Sequence, residues 1–156
     1  MTAGERHLAF APVADARTRV LVLGSLPGAA SLAAREYYAH PQNAFWRLIG
    51  AVAGCELAAL PYPDRLAALL DARIGVWDVI ATAARAGSLD AAIRDPEAAD
   101  LRAVAFNGAT AARIGRRQLA GLAGPGLFDL PSSSPAHAGM PYAEKLRRWS
   151  VLARSL

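Results

Sequence analysis

Residues 19–28 read RVLVLGSLPG, and this stretch decides the fold. Its first half, residues 19–23, is a short run of Val and Leu that ends at Gly24. A short apolar run bounded by glycine predicts a buried strand. The second half, GSLPG, opens a loop rich in Gly, Pro, Ala and Ser. Its two glycines would let the backbone approach a ligand closely.

Strand and helix patterns alternate along the rest of the chain. The predicted strands are residues 19–23, 74–79, 101–106 and 127–130. The predicted helices are residues 43–53, 64–71, a short one from 88 or 90 to 94, 110–119 and 142–156. This alternation predicts a three-layer α/β/α fold with a central, mostly parallel four-stranded sheet. A chain of 156 residues is expected to form a single domain spanning residues 1–156.

The composition places the chain among globular proteins. It is 54% hydrophobic and 19% charged, which argues against intrinsic disorder. No apolar run is long enough to span a bilayer, and the N-terminal residues lack the apolar core of an export signal. Cys55 is the only cysteine. A disulfide framework is therefore excluded, the cytoplasm is the expected compartment, and Cys55 is predicted to be a buried small side chain.

The charge balance permits a nucleic-acid partner without requiring one. The formal net charge is +4, and 16 of the 17 basic residues are Arg, with Lys145 the single Lys. Arg side chains bind phosphate oxygens through two parallel hydrogen bonds. Arg-rich and Lys-poor usage also arises from codon bias, so charge alone leaves the question open.

Small, polar or backbone-exposing residues recur at the ends of all four predicted strands. They are GSLPG at 24–28 after the first, Trp77-Asp78 in or after the second, Asn107-Gly108 after the third and Ser132–Ser134 after the fourth. Because parallel strands point the same way, the residues after them collect at one edge of the sheet, where open α/β folds bind ligands. The sequence therefore predicts a binding site at this edge.

A second unusual stretch, YYAHPQNAFW at residues 37–46, holds four aromatic residues in a chain that is 7% aromatic. It is either a piece of the core or the wall of a pocket for a flat ligand. Helical spacing places Phe45 with the core-facing residues of the helix that follows. Tyr37 and Tyr38 are the candidates for the pocket.

Several common kinds of site do not fit the motifs. GSLPG lacks the spacing of a P-loop or of a dinucleotide-binding loop. The three histidines are too scattered for a metal site, so neither a metal nor a cofactor is expected. There is no Gly-x-Ser-x-Gly, and Asp78 is the main carboxylate at the strand ends. Neutral amides, hydroxyls, His and backbone groups would carry most of any hydrolytic chemistry.

Taken in order, GSLPG, YYAHPQNAFW and SSSPAHA at 132–138 resemble the motifs of the uracil-DNA glycosylase superfamily. The chain is most similar to the hypoxanthine-DNA glycosylase branch, in which Ser replaces the usual acidic or amide residue of the first loop, as Ser25 does here. The similarity includes FNG at 106–108 and extends from Arg19 to the closing helix. It implies a monofunctional enzyme that flips a deaminated base, hypoxanthine first, out of double-stranded DNA and hydrolyses its glycosidic bond.

The resemblance implies roles for residues of the first motif. Asn43 takes the position of the catalytic Asn and would orient water or polarise the base, although it could also cap the following helix. Ser25 is the second catalytic candidate, and its presence disfavours uracil. Tyr38 takes the position of the stacking aromatic. The expected substrate-binding residues are Gly24, Leu26, Pro27, Gly28, Tyr38, His40 and Asn107.

Asn107 would read the N1–H and O6 edge of hypoxanthine, or would be a turn residue before Gly108. The second motif would approach the minor groove and the phosphates. The expected DNA-binding residues are Ser132, Ser133, Ser134, Pro135, His137 and Met140, with Met140 as an apolar wedge. Lys145, Arg147 and Arg148 would either contact phosphates or form a solvated helix face. No lysine is expected near the motifs, so the product would be an abasic site.

Three functions stay open on the sequence. The first is a hypoxanthine-DNA glycosylase, expected to be a monomer. The second has the same fold and releases uracil or xanthine from mismatches. The third is a nucleic-acid-binding module without catalysis. A panel of substrates separates the first two, and turnover separates both from the third.

Overall fold

The computed structural model describes residues 10–79, 100–136 and 139–156. The strands in this part of the chain are β1 (Val20–Gly24), β2 (Ile74–Asp78), β3 (Ala103–Asn107) and β4 (Gly126–Leu130). Its α-helices are α1 (Ala29–Ala34), α2 (Phe45–Ala53), α3 (Tyr62–Asp71), α4 (Ala109–Gln118) and α5 (Tyr142–Trp149). Two 3₁₀ helices cover Leu57–Ala59 and Ser150–Ser155. The predicted helix from residue 88 or 90 to 94 lies outside the described residues.

The four strands form one sheet in the order β2-β1-β3-β4, and every neighbouring pair is parallel. One isolated antiparallel bridge joins Val13 to Val76 beyond β2. The parallel arrangement predicted from the alternating pattern is therefore confirmed. Its consequence for function is that the carboxyl ends of β1 and β3, the two central strands, lie side by side at one edge.

Alternation along β1 explains why helices cover both faces of the sheet. Val20 and Val22 belong to a core cluster with residues of α2, α3 and α5, whereas Leu21 and Leu23 pack with residues of α4. Successive side chains of a strand point to opposite faces, so an entirely apolar strand needs a cover on each side. The three-layer architecture follows from this requirement. That residues 1–156 form a single domain stays a prediction.

Two predictions were wrong about where helices lie. The residues after GSLPG, expected as loop, form the short helix α1, whose Ala-rich sequence has high helix propensity. The closing helix ends at Trp149 instead of continuing to Leu156, and a 3₁₀ helix follows it. At this point the Ser150 hydroxyl donates to the Leu146 carbonyl oxygen at 2.6 Å. Such side-chain bonds compete with regular helical geometry.

The prediction that Cys55 is buried was wrong, because its thiol is on the surface. Helix α2 ends at Gly54, which adopts a left-handed conformation with φ 74°. The chain then turns back, so that the Cys55 amide donates to the Gly50 carbonyl oxygen at 2.9 Å. This contact brings the Cys55 backbone against Gly50, where a Cβ would lie 2.6 Å from the Cys55 carbonyl oxygen.

We expect Gly50→Ala to destabilise the protein by about 1 to 2 kcal/mol. Overpacking against a backbone atom costs roughly 1 to 3 kcal/mol, and the higher helix propensity of Ala offsets up to about 1 kcal/mol. Urea unfolding followed by circular dichroism measures the change. Gly28→Ala is the control, because its Cβ would meet no atom within 4 Å. Equal stability of the two variants would contradict the close approach at Gly50.

Candidate active site

A cavity of about 330 Å³ lies at the carboxyl edge of the sheet. This volume is near the lower end of the range for small-ligand sites, about 300 to 1,000 Å³. All four regions predicted from the strand ends contribute to its wall. The lining residues are Gly24 to Ser31, Tyr37, Tyr38, His40, Asn43, Asp78, Asn107 and Ser132 to Pro135.

The GSLPG loop forms one wall, and its glycine at position 24 is required by close packing. Gly24 is the last residue of β1, and a Cβ there would lie 2.7 Å from Tyr38 Oη and 2.8 Å from Asp78 Oδ1. Any larger residue would displace both polar groups. Leu26 is the most exposed large apolar residue of this wall, with 43% of its surface accessible. Ser25 and Pro27 also line the cavity.

The two tyrosines of the first motif differ in their surroundings. Tyr37 is buried, and its hydroxyl donates to the Ala11 carbonyl oxygen at 3.0 Å. Tyr38 is half-buried and has a φ of 55°, which is unusual for a residue with a side chain. Because both contribute to the cavity wall, the stretch is at once core and pocket.

The other aromatic residues of the stretch belong to the core, as the helical spacing predicted for Phe45. Phe45 and Trp46 are almost fully buried at the start of α2. The Phe45 ring stacks on the Tyr38 ring, with centroids 3.9 Å apart and an interplanar angle of 22°. Trp46 donates its indole N–H to the Tyr37 carbonyl oxygen at 3.0 Å. Phe45 thus supports Tyr38 from the core, and stacking of Tyr38 on a base stays a prediction.

Asn43 lines the cavity, and its Oδ1 accepts the Phe45 backbone N–H at 2.9 Å. This bond satisfies an amide in the first turn of α2 and holds the Asn43 side chain in one orientation. The alternative that Asn43 is the N-cap of the following helix was wrong, because the N-cap of α2 is Ala44, which makes no side-chain capping bond. The backbone N–H of Asn43 donates to the His40 carbonyl oxygen at 3.0 Å. His40 lies at the exposed rim, where its Nδ1 accepts the Gln42 amide.

Ser133 joins the two motifs at the bottom of the site. Its backbone N–H donates to Asn107 Oδ1 at 2.9 Å, and the Asn107 amide donates to Ser133 Oγ at 2.9 Å. The Ser133 carbonyl oxygen accepts the Ala44 N–H at 3.0 Å. Both side chains of this pair are buried. Within the described ranges, the Asn107 side chain therefore accepts one hydrogen bond and donates one, and its reading of a base stays a prediction.

Local bonds shape the rest of the second motif. Ser132 Oγ accepts the Ser134 amide, and Ser134 Oγ accepts the Ala136 amide. Beneath the loop, a Cβ on Gly108 would lie 3.2 Å from the Ser132 Cβ, and its φ is 98°. Both observations explain why glycine follows Asn107. His137 lies outside the described residues, and Met140 is half-buried and does not line the cavity.

Lys145 contradicts one expectation about the basic residues of the closing helix. Only 5% of its surface is accessible, and its Nζ donates to the Ser134 carbonyl oxygen at 3.5 Å. Burial lowers the pKa of this ammonium group. A lysine therefore does lie against the second motif, although it does not line the cavity. Arg147 and Arg148 are on the solvated face and both bond Glu144.

Asp78 is the site residue to which sequence reasoning assigned no role. It ends β2, lines the cavity and exposes only 4% of its surface. Burial raises the pKa of its carboxyl group to about 6. The available signal was its position at the end of the second strand, at the same edge as the other motifs.

Among the described residues, neither Asp78 Oδ2 nor Tyr38 Oη has a hydrogen-bond partner. Burial and the nearby Asp78 raise the pKa of Tyr38 beyond its usual range. The Asn107 side chain opposes this shift, although it does not reach hydrogen-bonding geometry with the hydroxyl. Two buried polar atoms without such partners, in residues that line a cavity, are unusual, since most buried polar atoms in proteins are paired.

The described residues contain no group of three or more His, Cys, Asp or Glu side chains placed to hold a metal ion. None of the helices in this part of the chain has the length and apolar character needed to cross a membrane.

The sequence matches the profile of the uracil DNA glycosylase superfamily over residues 11–153. Two curated relatives are both named hypoxanthine DNA glycosylase. The protein from Methanosarcina barkeri is 43% identical over 109 residues, and that from Methanosarcina acetivorans is 40% identical over 109 residues. Each alignment covers 64% of this chain and 69% of the relative.

A similar structure is known from Methanosarcina acetivorans, where a protein assigned to the uracil DNA glycosylases was solved by solution NMR. It superimposes with a TM-score of 0.77 and is 34% identical in sequence. The superposition covers 95% of this chain and 96% of that protein. The architecture described above is therefore shared over nearly the whole length of both.

Ser133→Ala should lower the free energy of unfolding by about 1 to 3 kcal/mol, because it leaves the buried Asn107 amide without its acceptor. Ser134→Ala is the matched control, since its hydroxyl accepts an exposed amide that water can satisfy. Urea unfolding midpoints measure both changes. Equal midpoints for the two variants would show that the Ser133 pair is not a structural link.

Asp78 should make stability depend on pH between about 4 and 6. Burial raises the pKa of the Asp78 carboxyl to about 6 in the folded protein, so the folded state binds this proton more tightly than the unfolded chain does. The resulting contribution to the free energy of unfolding is complete below the pKa of Asp78 in the unfolded chain, and it is lost as the pH rises through about 6. The loss is at most roughly 3 kcal/mol. Asp78→Asn should remove this part of the pH dependence, measured by thermal unfolding across the range. Asp71→Asn, at an exposed carboxylate, should leave it unchanged.

Proposed function

This chain belongs to the uracil-DNA glycosylase superfamily, and we propose that it releases hypoxanthine from DNA by hydrolysing the glycosidic bond of deoxyinosine. The observation that carries the proposal is the convergence of both motifs on one cavity. Asn43 and Ser25 of the first motif and the Ser132–Ser134 loop of the second line the same space, with Tyr38 in its wall.

The reaction needs the base outside the duplex, because its sugar carbon is inaccessible within the stack. A flipped base would enter the cavity, with Tyr38 as the flat partner and the second motif near the phosphates. Phe45 holds the Tyr38 ring from behind at 3.9 Å. Rigid support of this kind keeps the pocket shaped for a planar ligand before the base arrives.

Asn43 is the residue proposed to act on the nucleophile. An amide is a poor base, so its role is to orient water towards the sugar carbon while positive charge develops there. The bond from the Phe45 amide to Asn43 Oδ1 fixes the side chain and leaves that oxygen a second lone pair. The bond with the Phe45 amide and the proposed catalytic role are therefore compatible in one residue.

Hypoxanthine is the favoured base for two reasons. Ser25 stands where the first loop of uracil-releasing relatives has an acidic or amide residue, and both curated relatives are named hypoxanthine DNA glycosylase. Asn107 would add selectivity if its remaining donor and lone pair met O6 and N1–H of the base. The Ser133 bonds would then hold the reading amide in place.

The wider setting of the reaction rests on the sequence. The net charge of +4 suits a DNA substrate, and the single cysteine suits a cytoplasmic enzyme. We propose a monomer that acts on double-stranded DNA. The product is an intact abasic site, because Lys145 lies beneath the Ser134 carbonyl and outside the cavity wall.

The direct test uses labelled duplexes that each carry one inosine, uracil or xanthine, with alkali added after the reaction to cleave abasic sites. We expect cleavage mainly at inosine, and only after alkali, because hydrolysis leaves the strand whole. Preferential release of uracil would overturn the substrate. Binding of the duplexes without release of any base would identify a nucleic-acid-binding module instead.

Asn43→Ala should reduce the rate of hypoxanthine release by about 100-fold or more, as for other groups that stabilise a transition state electrostatically. It also removes the acceptor of the Phe45 amide, a bond that contributes about 1 kcal/mol, so thermal unfolding must accompany the rate measurement. Gln42→Ala, at the exposed neighbour, is the control and should retain activity. A variant that stays folded and releases hypoxanthine normally would refute the role of Asn43.

A further inference from the structure

The Asp78 carboxyl group has no part in the reaction as described so far. It is nevertheless among the most buried polar groups of the site, and one of its oxygens lacks a partner among the described residues. Isolated charges are expensive to bury, so a carboxyl group in such a place tends to be neutral. A ligand that accepted a hydrogen bond from it would supply the missing partner.

The packing at Gly24 places this carboxyl beside a second donor. Asp78 Oδ1 and Tyr38 Oη both lie within 2.8 Å of the point where a Gly24 Cβ would stand. The register of β1 and β2 pairs Gly24 directly with Asp78, so the strand ends hold this arrangement. The absence of a side chain at position 24 keeps both groups at the cavity wall.

The chemistry of purine release calls for a proton donor in this position. When the glycosidic bond breaks, its electron pair stays on the base, and the base becomes negative. An ionised carboxylate beside it would repel this charge. A neutral carboxylic acid would donate a hydrogen bond and then the proton itself.

We propose that Asp78 is the general acid that protonates the departing hypoxanthine. This inference rests on the proposed function. The bond between the base nitrogen and the sugar carbon breaks, and a water oxygen bonds to that carbon. The Asp78 proton moves to a ring nitrogen of the base, which leaves neutral, while the attacking water loses one proton to solvent. Asp78 regains a proton from solvent after the base departs.

Among the described residues, no neighbouring group shifts the pKa of Asp78 by its charge. The other titratable residues of this part of the chain that line the cavity are Tyr37, Tyr38 and His40. Both tyrosines have pKa values raised above their usual range, so they stay neutral at physiological pH. Gly24 is the neighbouring residue on β1. Burial is the resolved cause of the Asp78 shift, with no cation opposing it in the described part of the chain.

The experiment measures single-turnover release of hypoxanthine from an inosine duplex between pH 5 and 9. The wild-type rate should fall about tenfold per pH unit once the acid is ionised, because only its protonated form donates. Asp78→Asn should be roughly 100-fold slower at low pH and should lose this dependence. Asp71→Asn, far from the cavity at the end of α3, should match the wild type.

Binding separates a catalytic from a structural effect. Asp78→Asn should bind a duplex with an uncleavable 2′-fluoroarabino inosine as tightly as the wild type. An Asp78→Asn rate within threefold of wild type, or with the same pH profile, would overturn the proposal. Failure of the wild type to release hypoxanthine at any pH would instead remove the proposed function.

The dependence of the wild-type release rate on pH tests the proposal even if Asp78→Asn does not fold. A wild-type rate that stays level or rises from pH 5 to 8 would exclude a protonated carboxyl as the acid. Tyr38→Phe provides a second comparison at the same wall. It removes the neighbouring hydroxyl and should slow release while preserving the fall in rate with pH.

Discussion

The hydrogen bonds of Ser133 are the constraint on which the site depends. Through its backbone and hydroxyl, this one residue joins the end of β3 at Asn107 to the second motif, and through its carbonyl oxygen it joins the second motif to Ala44 of the first. All of these bonds lie at a buried position, where an unsatisfied group is costly. Two loops that are far apart in sequence are thereby held around one cavity.

Another part of the cavity wall contains buried polar atoms that lack hydrogen-bond partners among the described residues. In the part of the chain that the structure describes, these atoms are Asp78 Oδ2 and Tyr38 Oη, and Tyr38 also adopts a left-handed backbone conformation. Such features reduce stability unless the surrounding structure imposes them. Here Phe45 supports the Tyr38 ring, and the parallel pairing of β1 with β2 holds Asp78. Rigid packing thus maintains polar groups ready for a ligand.

Local sequence patterns predicted most of the fold. The run at residues 19–23 is entirely apolar after Arg19 because β1 is central and covered on both faces. The patterns failed where tertiary contacts or short elements decide the outcome. A six-residue helix such as α1 gives little periodicity. The helical apolar spacing continues beyond Trp149, but the bond from the Ser150 hydroxyl to the Leu146 carbonyl oxygen lies where the α-helix ends. The turn at Gly54 places the small apolar Cys55 on the surface.

By itself the sequence determined the layers, the parallel sheet and the set of residues at its carboxyl edge, because periodicity and strand direction depend on local chemistry. It also identified both motifs. Only the tertiary structure decided which hydrogen bonds these residues make, which of them are buried and which line the cavity. It showed that Asn107 bonds Ser133, that Lys145 is buried beneath Ser134, and that Asp78 faces the cavity. These facts depend on contacts between distant segments, and spacing along a chain carries no information about which buried groups find partners.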